Sequence, residues 1–167
     1  MIDPGRGTAV FTKGHRNPQG LAFDMGGQLW AHEHGARGGD EINRIEKGKN
    51  YGWPIISYGT HYSGAKIGEG TAKDGFEQPV FYWDPSIAPS GLAIHSGKNW
   101  PAMAGRFLVG SLKFDHIAVM VAGGSEQVGE IKTRETRRVR DVREGPLGGI
   151  WFLSEERGAL YRIAPPE

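Results

Sequence analysis

The chain contains no cysteine, which excludes disulfide bonds and thiolate chemistry alike. No uninterrupted apolar run reaches the length of a membrane-spanning helix. Charge of one sign is also missing: 20 Lys and Arg stand against 19 Asp and Glu, for a formal net charge of +1. Such a balance projects no field that would gather nucleic acid or an acidic membrane. The opening residues, MIDPGRGTAVF, carry no apolar core of a signal peptide. That is expected of a protein that is not exported, or of one whose true beginning lies upstream. Helical periodicity is scarce throughout.

Glycine is what the chain has in excess, with 27 among 167 residues, more than twice the usual share of about 7%. Ten prolines add to the punctuation. Both residues weaken helix interiors and suit short strands joined by tight turns. The length suffices for one core and one domain.

Short β-like runs recur in three sets. The first reads GLAFD (20–24), QLWAHEH (28–34) and DEINRIEKG (40–48). The second reads GLAIHSG (91–97), GRFLVGSL (105–112), HIAVMVAGG (116–124) and GEIKTRE (129–135). The third reads RDVREGPLGG (140–149), IWFLSEE (150–156) and ALYRIAPP (159–166). Each opens on a strand and a glycine turn, continues with a bulky apolar pair and closes on a third strand. Small antiparallel sheets repeating every 40–50 residues or so are the mark of propeller blades. The expected fold is therefore all-β, a partial β-propeller of four-stranded antiparallel blades over 1–167. The blades fall roughly at 14–50, 88–135 and 138–166, with a long Gly- and Tyr-rich loop over 50–87. A single irregular β-sandwich is the competing architecture. Three blades do not close a ring, and this is the anomaly of the sequence.

The most specific segment is GHRNPQGLAFD (14–24), continuing through LWAHEHGARGGDEINRIEKGKNYGWP (29–54). It resembles the glucose/sorbosone dehydrogenase family, the soluble sugar dehydrogenases that depend on pyrroloquinoline quinone (PQQ). The likeness covers the whole chain but only the C-terminal half of the family's six-bladed propeller. It implies an aldose oxidised at C1 to the lactone, PQQ as hydride acceptor, and calcium as Lewis acid. A periplasmic or secreted location is implied as well.

PQQ is a flat aromatic trianion, and its site needs cations that grip carboxylates, which arginine does bidentately. By resemblance, Arg16, Asn17, Lys113, Arg138 and Arg140 fall on the cofactor-contacting positions. In RRVRDV, alternate residues of a strand share a side, so Arg138 and Arg140 point one way and Val139 and Asp141 the other. Taken alone, the run KTRETRRVRDVRE reads as a solvated edge. The resemblance also places the cofactor's calcium on the carbonyls of Gly35 and Ala36, where some members carry proline in place of the alanine. A carbonyl ligand is indifferent to its own side chain. A second, structural calcium is implied at the carbonyls of Glu41 and Tyr51. Tyr82 and Trp83, in FYWDPSIAPSG (81–91), are the candidate ring faces for cofactor or sugar. His32 and His34 share a strand face but lack a third ligand at an obvious spacing, so packed or hydrogen-bonded imidazoles are expected there rather than a metal site.

No catalytic residue is assigned. In the family the general base is a histidine of the N-terminal half, and His15, His61, His95 and His116 do not sit in its motif. The expected reading is half of an enzyme, inactive alone. The alternatives are a non-catalytic propeller fragment binding carbohydrate or a partner protein, and a lactonase-type propeller. The last would need side-chain carboxylate and amide ligands in the pore, where this sequence offers carbonyls and cations. The implied partners are an aldose substrate and either a missing N-terminal half or a second copy, as a homodimer closing a six-bladed ring.

Overall fold

A computed structural model describes residues 7–166. Eleven strands and one short 3-10 turn, Pro101–Met103, make up the regular structure among the described residues. The first sheet comprises β1 (Pro18–Phe23), β2 (Leu29–Glu33), β3 (Asp40–Ile45) and β4 (Phe81–Trp83), in that order. The second comprises β5 (Pro89–Ile94), β6 (Phe107–Ser111), β7 (His116–Met120) and β8 (Gln127–Ile131). The third comprises β9 (Val139–Glu144), β10 (Ile150–Ser154) and β11 (Ala159–Ile163). All pairings within the sheets are antiparallel.

The inner strands pack in sequence, β1 on β5 and β5 on β9, so the sheets stand as successive blades. This all-β, propeller-like arrangement is the one expected, and its sheets do not close on each other. The middle blade is sandwiched between the other two, and its side chains show it. Phe107 and Val109 of β6 join Trp30, Ile42 and Trp83 in a core against the first blade. Leu108, between them, turns the other way into a core with Val139, Val142, Ile150 and Phe152 of the third. Every residue of β6 is buried. Burying one such side chain is worth about 1.5–3 kcal/mol, so the two inter-blade cores dominate stability. The outer blades leave apolar side chains exposed away from the middle blade, Leu21 and Phe23 of β1 and Trp151, Leu153 and Leu160 of the third sheet, although β2 is buried from Trp30 to Glu33.

Two expectations are refined. The first blade does not end at 50, because Phe81–Trp83 returns to pair with Asp40–Ile42 as its fourth strand. The loop therefore runs between β3 and β4. The third blade has three strands, where the other two have four. No described helix is long and apolar enough to cross a membrane.

Candidate functional site

The turn Gly35–Gly39 follows β2 and is drawn tight by Asp40. The Asp40 carboxylate accepts hydrogen bonds from the Gly35 amide (2.9 Å), the Ser86 hydroxyl (2.5 Å) and the Ala88 amide (2.9 Å), joining this turn to the segment before β5. Gly35 lies so close to Gly38 that a Cβ on it would sit 2.1 Å from the Gly38 carbonyl oxygen. Only glycine fits such an approach.

Beside this turn opens a cleft of about 540 Å³, lined by Ala36, Arg37, Gly38, Asp84, Ser86 and Lys113 among others. Its size falls within the roughly 300–1,000 Å³ typical of small-molecule sites. Ala36 and Lys113 thus line one cleft, although 77 positions separate them. Lys113 also lies over the Phe114 ring, 5.0 Å from its centroid. One step back along the chain, the Leu112 carbonyl accepts from Arg138 Nη1 at 3.4 Å.

Arg138 is not on the strand. β9 begins at Val139, and Arg138 precedes it with φ +45°, a left-handed conformation costly for a residue with a side chain. Its amide donates to Asp115 Oδ1 at 2.9 Å, and its carbonyl accepts from the Glu155 amide at 3.1 Å. The expectation that strand alternation aligns Arg138 with Arg140 is therefore corrected. What aligns them is Glu155, whose carboxylate pairs with both guanidinium groups. These neighbouring cations hold the Glu155 carboxyl below its ordinary range, Arg140 contributing most.

A second, smaller site lies beneath the first turn. Arg16 Nη1 donates to the Gly35 carbonyl at 2.5 Å and to the His34 carbonyl at 3.3 Å, while its guanidinium lies 5.3 Å from the Trp53 ring centroid. The Gly35 oxygen therefore already accepts from a cationic side chain. Arg16, Gly35, Glu33, Glu41 and Tyr51 line a cavity of about 10 Å³, room for about one water-sized sphere. The Glu33 carboxylate accepts from His15 Nδ1 (2.8 Å), the Arg16 amide (2.5 Å), the Asn17 amide (3.3 Å) and Asn43 Nδ2 (3.1 Å). Burial, with the nearby Glu33 charge, pushes the Glu41 carboxyl up to about 7. A group so placed welcomes either a proton or a cation. Asn17 itself sits at the exposed rim, its Oδ1 accepting from Gln19 at 2.8 Å.

Tyr82 and Trp83 part company. Tyr82 is exposed and stacks on Tyr58 with centroids 4.0 Å apart, facing an open cleft it shares with Asp84. Trp83 points to the opposite side of β4 into the inter-blade core, its indole N–H donating to Gln127 Oε1 at 2.8 Å. His34 hydrogen-bonds the Pro89 carbonyl at 2.6 Å. Burial pushes His32 down to about 4, with the Gly91 backbone opposing the shift in part. Sequence reasoning missed Asp84, Glu155 and the Glu33–Glu41 pair. Asp84 follows directly on the aromatic candidates, while Glu155 gave no signal, because only the third blade's fold brings it to the arginines.

Successive antiparallel blades packed face to face define a partial, propeller-like fold. The chain belongs to the glucose/sorbosone dehydrogenase family, whose model matches residues 2–162. It is 43% identical over 169 residues to aldose sugar dehydrogenase YliI of Escherichia coli, covering 98% of this chain and 46% of that protein. The crystal structure of the E. coli soluble aldose sugar dehydrogenase in its apo form superimposes with a TM-score of 0.88 over 94% of this chain and 47% of that one, at 43% identity. The PQQ-bound aldose sugar dehydrogenase of Streptomyces coelicolor gives a TM-score of 0.67 at 29% identity, over 91% of this chain and 41% of that one. The chain thus spans about half the length of the relatives it matches.

Proposed function

We propose that this chain forms the cofactor-holding half of a quinoprotein sugar dehydrogenase that oxidises an aldose at C1 to the lactone, acting in the periplasm or outside the cell. The general base comes from blades outside this chain, carried by a polypeptide segment of different sequence. The observation that carries the reading is the 540 Å³ cleft that joins Ala36 to Lys113. Its chemistry suits the cofactor: Lys113 and Arg37 offer cations to carboxylates, and Asp84 and the Ala36–Gly38 backbone offer oxygens to a metal ion. Calcium takes six to eight such oxygens, so cofactor and water oxygens complete its shell. Held there, PQQ would supply a hydride acceptor and calcium a Lewis acid. The chain's own residues bind and orient. Lys113 neutralises one carboxylate, Arg138 and Arg140 compete with Glu155 for another, and Arg16 braces the Gly35 carbonyl. Tyr82, stacked on Tyr58, offers a flat face to a sugar ring.

The test is a titration with PQQ followed by tryptophan fluorescence, with calcium and with a chelator. Calcium-dependent binding that Lys113→Ala weakens about tenfold to a hundredfold supports the reading. Equal affinity in the variant, or binding indifferent to calcium, overturns it. A second reading, a non-catalytic carbohydrate-binding fragment, draws on the exposed Tyr58–Tyr82 stack and would show sugar binding without PQQ binding.

A further inference from the structure

A flat aromatic cofactor needs a ring face as well as cations, and the two rings that the sequence offered for it lie elsewhere. Trp83 is buried in the core between the first two blades, and Tyr82 stacks on Tyr58 over a different opening. Among the described residues lining the 540 Å³ cleft with Ala36, Gly38 and Lys113, the one aromatic side chain is Tyr62. It comes from the long loop between β3 and β4.

Tyr62 is the second residue of the tight turn HYSG (61–64), which the Gly64 amide closes by donating to the His61 carbonyl at 2.8 Å. The arms of the turn are paired, with the His61 amide donating to the Ala65 carbonyl at 2.8 Å and Thr60 bridging Lys66. Thr60 also pairs with Arg37. The Arg37 amide donates to the Thr60 carbonyl at 2.9 Å, and the Thr60 amide donates to the Arg37 carbonyl at 3.0 Å. The loop backbone is thereby tied to the Gly35–Gly39 turn that forms one wall of the cleft. The approach is so close that a Cβ on Gly59 would sit 2.3 Å from the Gly38 carbonyl oxygen. Ile56 and Ile67 of the same loop are buried. On this frame the Tyr62 side chain is 76% exposed. A ring held by a rigid frame loses little conformational freedom on meeting a flat ligand, which is how pre-organised sites gain affinity.

We propose that Tyr62 is the ring face of this cleft. It stacks on the flat cofactor whose carboxylate Lys113 neutralises, and the Arg37–Thr60 pairing fixes it relative to the Gly35–Gly39 turn. The assignment rests on the proposed function and deepens it, naming a further contact of the same cofactor. Stacking uses the face of the ring and not its hydroxyl, which sets phenylalanine apart from alanine at this position.

The experiment is a fluorescence titration with PQQ in the presence of calcium, run beside a thermal melt. Tyr62→Phe is expected to bind as the wild type does. Tyr62→Ala is expected to weaken binding about three- to tenfold, the size of one aromatic stacking contact. Both variants are expected to keep the wild-type Tm, because the side chain is exposed. Tyr62→Trp adds an emission to that of the five native tryptophans, and bound PQQ is expected to quench the added emission with the midpoint of the binding curve. Wild-type affinity in Tyr62→Ala, an equal loss in Tyr62→Phe, or an added emission that PQQ leaves untouched overturns the stacking. If Lys113→Ala weakens PQQ binding while Tyr62→Ala does not, the stacking falls alone and the quinoprotein reading stands. A wild type that binds no PQQ removes both.

Discussion

Glu155 pairs with Arg140 through Oε2 and with Arg138 through both carboxylate oxygens, so these two cations of the third blade are held by the protein's own carboxylate. An incoming carboxylate must displace it. Glu155→Gln keeps the shape and removes the charge, so it is expected to strengthen PQQ binding several-fold and to lessen its sensitivity to salt. Unchanged affinity in a fluorescence titration would show that the cofactor never reaches these arginines.

Arg138, Arg140 and Arg143 allow a separation of binding from folding. Arg143 Nη1 donates to the Leu92 carbonyl at 2.8 Å and to the Val142 carbonyl at 3.0 Å, so it ties the third blade to the second. Arg143→Ala is expected to lower Tm and leave PQQ affinity intact. Arg138→Ala or Arg140→Ala is expected to weaken affinity about tenfold to a hundredfold with a smaller effect on Tm. Equal affinity losses at all three positions would sink the assignment.

Gly20 sits in a bulge where β1 crosses the buried His32 ring. A Cβ there would lie 2.4 Å from His32 Nε2 and 2.7 Å from Leu92 Cβ. Leu92 belongs to a packed core and His32 is fully buried, so neither retreats freely. Gly20→Ala is expected to cost about 1–3 kcal/mol, lowering Tm by several degrees. A thermal melt unchanged from the wild type would contradict the close approach.

Much of this was legible in the sequence. The apolar pairs on the second strand of each blade, and the glycine turns before them, marked the sheets because alternation and turn chemistry are local. The strand β4 escaped, since three residues between Pro79 and Pro85 are too few to show a period. Alternation misled at Arg138, where a left-handed residue held by Asp115 interrupts the strand one position before it begins. Trp83 looked like a ring for the cleft, but which side of β4 faces the neighbouring blade is decided by packing against Phe107 and Trp30, far away in sequence. The Glu33–Glu41 pair was hidden for a like reason: two carboxylates on adjacent strands become a pair only once β2 and β3 are in register.

That pair gives a dependence on pH. In a chelator, with no divalent cation in the small cavity, the Glu41 carboxyl titrates near 7 when folded, against 4.5 for the ordinary group. The proton therefore favours the folded state. The stabilisation is complete below about 4.5, declines as pH rises, and is gone above about 7. Its size is about 1–3 kcal/mol, less than the full shift implies because the group keeps some contact with solvent. Around it stand Glu33, Asp40, His15 and Asn43, of which the Glu33 charge is the main repulsive neighbour. Glu41→Gln is expected to flatten this part of the stability–pH curve and to make the protein more stable than wild type at pH 8 in chelator. Urea unfolding at intervals from pH 4.5 to 8 reads both effects, and parallel curves for the two proteins would remove Glu41 as the cause.

The last prediction concerns catalysis by the chain alone. The cleft that joins Ala36 and Lys113 is lined by one carboxylate, Asp84, and by no imidazole among the described residues. His34 spends its Nε2 on the Pro89 carbonyl, and His15 faces Glu33 inside the smaller site. A general base must come within hydrogen-bond reach of the hydroxyl it deprotonates, and its loss costs a factor of about 10²–10⁴. The chain supplied with PQQ and calcium is therefore expected to bind the cofactor yet reduce a dye acceptor at least a hundredfold more slowly than a full-length relative such as the E. coli enzyme. Turnover of glucose matching that of the full-length enzyme would mean that a residue of this chain, with Asp84 the first to substitute, performs the proton transfer.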